Sequence, residues 1–198
     1  MKRILVIFSH PALQRSRANR ELLLAISNLE GIRVHDLYQH YPDLLIDVKR
    51  EQALLAEHDI IVFQHPLYWY SCPAIMKEWL DLVLEYGYAY GPEANGLAGK
   101  QWLSAITTGG APESYCEAGY NSSPLLDFLR PFSQTARLCG MHWLPPFVLH
   151  SFHKLKDPEA LRHCGQDYRQ LLLALRDERL SPAQLAGVDY LRDLLEAI

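Results

Sequence analysis

The chain has 198 residues, a length that fits one folded domain, and we expect residues 1–198 to form it. With 49% hydrophobic and 21% charged residues, the composition supplies enough apolar side chains for a core and excludes an intrinsically disordered protein. The 19 basic and 23 acidic residues give a formal charge of -4, which argues against a nucleic-acid partner.

The compartment is indicated by apolar runs and by cysteine usage. No apolar stretch approaches the roughly 20 residues that span a bilayer. The apolar run after Lys2 and Arg3 is interrupted at residues 9–11, before the core of a secretion signal is complete. The cysteines include no C-x-x-C pair, so we expect free thiols, most of them buried. They are Cys72, Cys116, Cys139 and Cys164. A cytoplasmic protein is therefore predicted.

The first half of the chain alternates strand-like apolar runs with amphipathic segments. Strands are predicted at Lys2–Ser9, Ile32–Leu37 and Asp59–Gln64. The first and third are short continuous apolar runs, which are typical of strands covered on both faces. A helix capped by Ser16 is predicted to continue to Gly31, and a second helix runs from Asp47 to about Glu57.

The second half continues the same alternation. Pro145-Pro146 interrupts its last strand, so we expect that strand at an edge of the sheet. The predicted strands are Gln101–Thr107 and Met141–Leu149, and the predicted helices are Pro73 to about Gly87, Leu125–Cys139, Pro158–Arg176 and Ser181–Ala197. Strands separated by helices predict an α/β fold with a doubly wound, five-stranded parallel sheet, because parallel neighbours need long crossovers.

Ligands of such sheets bind beyond the carboxyl ends of the strands. The first loop, residues 10–19, leads from the first strand into a helix N-terminus, where backbone N–H groups favour an anion. Ser16, Arg17 and Asn19 add hydrogen-bond donors there, so a phosphate site is one interpretation. The alternative is that Ser16 only caps the helix and that His10 packs. The loop is neither a glycine-rich dinucleotide fingerprint nor a P-loop.

Two further loops follow the third and fourth strands. The second loop, residues 65–73, carries three consecutive aromatic residues whose side chains diverge, which suits a stacked flat ring better than a core. The third loop, residues 107–110, ends in two glycines that let the backbone approach a ligand closely. A phosphate site, an aromatic wall and polar contacts for a ring edge together favour flavin mononucleotide (FMN).

Several motifs resemble the flavodoxin-like NAD(P)H:quinone oxidoreductases. They are S-H-P at Ser9–Pro11, S-x-A-N at Ser16–Asn19, Q-H-P-L-Y-W-Y-S-x-P at Gln64–Pro73 and T-T-G-G at Thr107–Gly110. Other segments are similar to bacterial ancillary subunits of glutathione-regulated potassium-efflux systems. These are Leu37–Asp43 (LYQHYPD), Arg50–Leu55 (REQALL), Lys77–Asp81 (KEWLD) and Met141–Pro146 (MHWLPP). The resemblance extends from about Ile4 to His150.

The resemblance implies a flavodoxin-like fold with FMN as cofactor and NAD(P)H as co-substrate. The FMN-binding residues that it implies are His10, Ser16, Arg17, Ala18, Asn19, Leu67, Tyr68, Trp69, Tyr70, Thr107, Thr108, Gly109 and Gly110. It also implies a homodimer, a quinone substrate and a membrane-bound potassium-efflux antiporter that the subunit activates, so that a cytoplasmic protein would sit peripherally at the inner membrane.

The catalytic residues are the point at which the chain departs from the family. Related quinone reductases use a Tyr and a His after T-T-G-G to assist hydride transfer; Tyr115 matches the Tyr, but Asn121 occupies the His position. We assign these two residues to the catalytic site, with Tyr115 as a proton donor. The alternative for Tyr115 is an exposed loop aromatic.

Three functions remain open. The protein is an FMN-dependent quinone reductase that also activates an antiporter, or a non-catalytic FMN-binding regulatory subunit, or a one-electron carrier. The carrier is disfavoured, because such proteins use a strongly acidic docking face and the charge of -4 is modest. His150 and His153 could share a helix face as metal ligands, but no carboxylate or cysteine nearby completes a set, so we expect no metal.

Overall fold

The computed structural model describes residues 1–151 and 157–198. Its strands are β1 (Ile4–Phe8), β2 (Ile32–Asp36), β3 (Ile60–Pro66), β4 (Gln101–Thr107), β5 (His142–Trp143) and β6 (Phe147–Leu149). Its α-helices are α1 (Arg17–Ala25), α2 (Leu37–His40), α3 (Val48–Ala56), α4 (Ala74–Val83), α5 (Leu125–Leu138), α6 (Pro158–Arg176) and α7 (Pro182–Ala186). Short 3-10 segments cover Leu13–Arg15, Pro112–Ser114 and Leu191–Ala197.

All strand pairs of the sheet are parallel, in the order β2-β1-β3-β4, with β5 and β6 together in the fifth position. This order confirms the predicted flavodoxin-like, doubly wound sheet. The chain crosses to the other side of β1 between β2 and β3. A switch point of this kind leaves a crevice at the carboxyl ends of β1 and β3, which is where doubly wound folds bind ligands.

Side chains alternate between two hydrophobic cores, one on each face of the sheet. Ile4 and Val6 point to the face covered by α1 and α6, whereas Leu5 and Ile7 point to the face covered by α4 and α5. The β1 residues Ile4 to Phe8 are fully buried, as a central strand covered on both faces requires. The continuous apolar run in the sequence therefore has a direct structural cause.

The last predicted strand, Met141–Leu149, is divided into β5 and β6. Pro145 and Pro146 have no backbone N–H to donate to the ladder, so pairing with β4 stops at Trp143 and resumes at Phe147. Both pieces lie beside β4 at the end of the strand order, so the predicted edge position is confirmed.

The helix predicted from Ser16 to Gly31 ends early, at Ala25. Ser16 is its N-cap, as predicted, with its side chain accepting a hydrogen bond from the Asn19 backbone. Beyond the helix, Asn28 adopts a left-handed φ of 59° that no continuing helix allows. Leu29 nevertheless packs against the core from a turn, so the apolar spacing reports burial there rather than helix.

Two other helices are also shorter than predicted. The helix that begins after Pro73 ends at Val83 rather than near Gly87. The helix predicted over Ser181–Ala197 consists of α7, which ends before Gly187, and a 3-10 segment that begins at Leu191. The helix after Asp47 agrees with its prediction, with the Asp47 carboxylate capping its first turn.

Over residues 1–151 and 157–198, no helix has the length and apolar character needed to cross a membrane.

The four cysteines are free thiols, as predicted. Cys139 and Cys164 are buried, Cys72 is half-buried, and Cys116 differs from expectation because it is exposed.

Candidate functional site

The three loops meet at one edge of the sheet because hydrogen bonds continue the ladder past the strand ends. Leu67 N donates to Thr107 O at 2.9 Å, and Thr108 N donates to Leu149 O at 3.0 Å. The first and second loops touch through the His10 and Tyr68 rings, whose centroids lie 5.9 Å apart in an edge-on contact. The three loops, which are far apart in sequence, therefore form a single site in the fold.

Two side chains of the first loop, Ser16 and His10, have a hydrogen left to donate to an anion. Ser16 Oγ accepts hydrogen bonds from Asn19 N at 3.3 Å and from Asn19 Nδ2 at 3.2 Å, which leaves its own hydrogen free to donate. His10 Nδ1 accepts from Ala12 N at 3.1 Å, so Nε2 carries the ring hydrogen. Burial lowers the pKa of His10, with Asp36 opposing the shift, so the ring is a neutral donor.

A buried hydroxyl next to this loop has no hydrogen-bond partner in the part of the chain that the structure describes. Ser9 Oγ, at the carboxyl end of β1, is fully buried and makes no hydrogen bond with any described residue. Leaving such a group unpaired costs roughly 1–3 kcal/mol. A ligand with acceptor oxygens at the carboxyl end of β1 would remove that cost.

Other predicted binding residues lie deeper than the sequence suggested. Ala18 packs in the core beside α1, so only its backbone is available to a ligand. Asn19 and Thr107 are buried and bonded to each other, with Asn19 Nδ2 donating to Thr107 Oγ1 at 3.1 Å. Arg17, the first residue of α1, is exposed. The side chains of Asn19 and Thr107 therefore shape the loop instead of presenting free donors.

The aromatic residues of the second loop form a tight turn that projects them into solvent. Ser71 N donates to Tyr68 O at 2.9 Å, and the two central residues, Trp69 and Tyr70, adopt left-handed φ values of 51° and 62°. Trp69 is 94% exposed and Tyr70 is 47% exposed. Bulky residues rarely adopt this conformation, and such strain concentrates at functional sites. The prediction that these side chains lie outside the core is confirmed.

A cleft of about 320 Å³ separates the second loop from the segment after the third. It is lined by Leu67, Trp69, Tyr70, Gly110, Ser114, Tyr115, Tyr120 and Asn121. Four of these eight residues are aromatic, and Ser114 and Asn121 add polar side chains. The cleft therefore suits a flat ring with polar edges.

Tyr115 lies against the third loop at one wall of the cleft. A Cβ added at Gly110 would come within 3.0 Å of the Tyr115 ring, so the glycine permits the contact. Burial raises the pKa of the Tyr115 phenol, with opposing hydrogen bonds from the Thr108 hydroxyl and the Gly110 backbone. The hydroxyl therefore keeps its hydrogen near neutral pH.

His150 is a site residue that sequence reasoning considered only as a metal ligand. Its Nδ1 lies 3.0 Å from Thr108 Oγ1, and its ring centroid lies 5.5 Å from that of Tyr115. Burial lowers the pKa of His150, although a hydrogen bond with the Gly110 backbone opposes the shift. The available signal was its position directly after the last strand, at the carboxyl edge where ligands of such sheets bind.

Asn121 has a different partner from the residue that it replaces in the family pattern. Its Oδ1 accepts a hydrogen bond from the Tyr70 hydroxyl at 3.2 Å, across the exposed side of the cleft. Asn121 therefore ties the second loop to the segment that carries Tyr115. The paired metal ligands considered above include His153, which lies outside the described residues; among those described, no three His, Cys, Asp or Glu side chains cluster to hold a metal ion.

Comparisons with known proteins agree with this architecture. A family described as having a flavodoxin-like fold matches residues 2–172. The glutathione-regulated potassium-efflux system ancillary protein KefG of Serratia proteamaculans is 54% identical over 166 residues, covering 84% of this chain and 90% of that protein.

Two solved structures are similar over most of their length. General stress protein 14 of Treponema denticola, in complex with FMN, has a TM-score of 0.79 and 34% identity, covering 90% of this chain and 99% of that chain. An NADPH-quinone reductase from P. pentosaceus has a TM-score of 0.77 and 31% identity, covering 85% of this chain and 96% of that chain. The chain therefore belongs to the flavodoxin-like family, in which its relatives include potassium-efflux ancillary proteins and quinone reductases.

Proposed function

We propose that the protein is an FMN-dependent NAD(P)H:quinone oxidoreductase that also acts as an ancillary activator of a glutathione-regulated potassium-efflux antiporter. One observation carries the catalytic part: the loops after β1, β3 and β4 meet at one edge of the sheet, where the first loop holds hydrogen-bond donors and strained, exposed aromatic residues of the second loop line a cleft beside the third. Likeness to an FMN complex and to an NADPH-quinone reductase supports the same activity. The regulatory part is supported by the likeness to KefG proteins.

The donor set of the first loop fits the phosphate of FMN. Ser16 and His10 each have a hydrogen to donate, and the first N–H groups of α1 add the positive end of a helix dipole. Ser9 Oγ is a buried hydroxyl in need of a partner at the same strand end. Each of these features is typical of an anion site.

The second and third loops fit the ring system. Trp69 and Tyr70 would flank the ring plane, while the backbone N–H groups of Gly109 and Gly110 in the third loop would face the ring oxygens and nitrogens. When bound, FMN supplies hydride chemistry, taking a hydride from NAD(P)H and passing it to a quinone. The aromatic walls orient the nicotinamide and then the quinone, and they exclude water from the reacting face.

Proton supply is the role that we propose for Tyr115. Its hydroxyl is held in the protonated form by burial and lies beside Thr108 and Gly110. Reduction of a quinone by a hydride needs one further proton, which a phenol at the cleft wall can donate. Asn121 does not replace the family's histidine as an acid, because an amide does not titrate. It holds Tyr70 through its carbonyl oxygen instead.

Partners and location follow from the regulatory part of the proposal. The protein would form a homodimer, as the family resemblance implies, and would dock from the cytoplasm onto the inner face of the membrane through the antiporter. A purely regulatory FMN-binding subunit is the second candidate. The observation that favours it is Asn121, which removes the titratable partner of Tyr115 found in related reductases.

The test is the visible absorption spectrum of the purified protein under anaerobic conditions, before and after NADPH and then a soluble quinone. We expect a flavin band that bleaches with NADPH and returns with quinone. A band that NADPH leaves unchanged would favour the regulatory subunit. A colourless protein that does not take up added FMN would overturn both candidates.

Trp69→Gly separates binding from folding at the second loop. Loss of a stacked aromatic costs roughly 1–3 kcal/mol, so we expect FMN affinity to fall about tenfold. Glycine relieves the left-handed φ of 51°, so the free energy of unfolding should stay level or rise by up to about 1 kcal/mol. FMN titration by fluorescence and urea unfolding measure the two effects.

Asn28→Gly is the matched control for this variant. Asn28 has a φ of 59° in the turn after α1, outside the three loops. It should give a similar change in stability with no change in FMN affinity. If Trp69→Gly leaves the affinity at the wild-type value, the side chain does not contact the cofactor.

A further inference from the structure

A line of buried polar side chains connects α6 with the first loop through the middle of the sheet. It begins at Tyr168, which lies in α6, is fully buried and packs against Phe147 in a tilted ring contact with centroids 4.8 Å apart. The Tyr168 hydroxyl donates to Gln64 Oε1 at 3.1 Å. The sequence gives no local sign of this contact, because the two residues are 104 positions apart.

The two side-chain amides in the line are each oriented by the group before them, Gln64 by the Tyr168 hydroxyl and Asn19 by Gln64. Gln64 uses its oxygen to accept from Tyr168, so its nitrogen points the other way and donates to Asn19 Oδ1 at 3.3 Å. With that oxygen occupied, Asn19 Nδ2 faces Thr107 Oγ1 at 3.1 Å and Ser16 Oγ at 3.2 Å. An amide has one accepting and one donating end, so the polarity is transmitted along the line.

The polarity decides what Ser16 offers to a ligand. Ser16 Oγ accepts from both the side chain and the backbone of Asn19, so its hydrogen is left to donate outward from the first loop. If the Asn19 amide were reversed, its oxygen would face Ser16 and accept that hydrogen. The first loop would then present a lone pair to an anion, which is repulsive.

We propose that Tyr168 and Gln64 are positioning residues for phosphate binding, and that they act by setting the direction of the Ser16 hydroxyl. This inference rests on the proposed FMN site and adds the requirement of a phosphate monoester. Tyr168 lies outside the motifs that resemble an FMN site, and Gln64 is the first residue of one of them. Their effect reaches the ligand only through Asn19 and Ser16.

The experiment compares FMN with riboflavin, which carries the same ring and no phosphate. Tyr168→Phe keeps the ring that packs against Phe147 and removes only the hydroxyl. Loss of one hydrogen bond of this kind predicts an FMN affinity about three- to tenfold weaker, with riboflavin affinity unchanged. Gln64→Glu should weaken FMN more, because a carboxylate accepts at both ends and forces the Asn19 amide to reverse.

Tyr88→Phe is the matched control. Its hydroxyl donates to Gln52 O at the same distance of 3.1 Å, on the opposite face of the sheet. It should lower the unfolding temperature by a similar amount and leave the ratio of FMN to riboflavin affinity unchanged. The unfolding temperature of each variant is measured without flavin.

The outcomes separate this inference from the proposed function. A selective loss of FMN affinity in Tyr168→Phe supports it, because this variant adds no charge that could repel the phosphate. Equal losses for both flavins would overturn it, because the variants would then disturb the ring site as a whole, and unchanged affinities would overturn it as well. If the wild-type protein bound neither flavin, the proposed function would fail first and this inference with it.

Discussion

Replacing Glu51 by glutamine is expected to lower the free energy of unfolding by about 3 kcal/mol, the magnitude found when a buried charged acceptor is removed from its donors. Glu51 is fully buried in α3. Its carboxylate accepts hydrogen bonds from His35 Nε2 at 2.9 Å, the Tyr41 hydroxyl at 2.5 Å and Trp79 Nε1 at 2.8 Å. It thereby ties together β2, the end of α2, and α4.

Glutamine fits the space but not the hydrogen bonding. A carboxylate accepts at both oxygens, whereas an amide has one oxygen and a nitrogen that would face a donor. At least one of His35, Tyr41 and Trp79 would lose its partner in a buried place. The measurement is urea unfolding, with Glu57→Gln as the control because Glu57 is exposed at the end of the same helix. Equal effects of the two variants would contradict the argument.

The same carboxylate makes stability depend on acid. Burial alone would raise the pKa of Glu51, but the hydrogen bonds from His35, Tyr41 and Trp79 outweigh it and hold the pKa below its ordinary value of 4.5. A carboxyl with a lowered folded-state pKa stabilises fully above its unfolded value, and the contribution is lost as pH falls through the folded value. We therefore expect stability to decline below about pH 4.5, and to decline less steeply in Glu51→Gln.

The sequence predicts the features of this protein that depend on neighbouring residues. The continuous apolar run around Ile4 to Phe8 predicts a strand covered on both faces, and Pro145-Pro146 predicts an edge where pairing breaks. Ser16 and Asp47 mark helix starts because capping is a local interaction. These predictions succeed because few conformations satisfy the local constraint.

Features that depend on contacts between residues far apart in the sequence cannot be predicted in the same way. The helix after Ser16 is overpredicted because Leu29, beyond the helix end, is partly buried against the core, and periodicity cannot distinguish that from helix. Asn19 reads as a free donor for a ligand until the fold brings Gln64 and Thr107 beside it. His150 joins Thr108 only when β6 lies next to β4.

Tyr115→Phe should reduce quinone reductase turnover by about 100-fold at neutral pH, the lower end of what a positioned proton donor contributes. The phenylalanine ring keeps the contact with Gly110 and loses only the hydroxyl beside Thr108. FMN affinity should therefore stay at the wild-type value. Anaerobic stopped-flow reduction and reoxidation measure the two halves of the reaction separately.

Under the proposed role of Tyr115, the proton that it donates would be replaced through Thr108 and His150. Thr108 Oγ1 lies 3.0 Å from His150 Nδ1, and its hydroxyl hydrogen is donated to Gly110 O at 2.8 Å. The hydroxyl would have to turn from Gly110 O to pass its hydrogen to Tyr115 while it takes one from His150 Nδ1. Burial lowers the pKa of His150 and favours the neutral ring, which would take a proton from solvent at Nε2 as it gives one from Nδ1. In this arrangement the titratable group, His150, lies on the sheet side of Tyr115, whereas Asn121 lies on the exposed side.

His150→Asn tests that arrangement together with Tyr115→Phe. We expect it to slow turnover about tenfold, less than loss of the tyrosine itself, because solvent can also return the proton. The double variant should be no slower than Tyr115→Phe, since both residues serve one proton transfer. Tyr190→Phe, which removes a half-buried phenol hydroxyl outside the cleft, should leave turnover unchanged. Fully additive losses in the double variant would show that His150 acts independently of Tyr115.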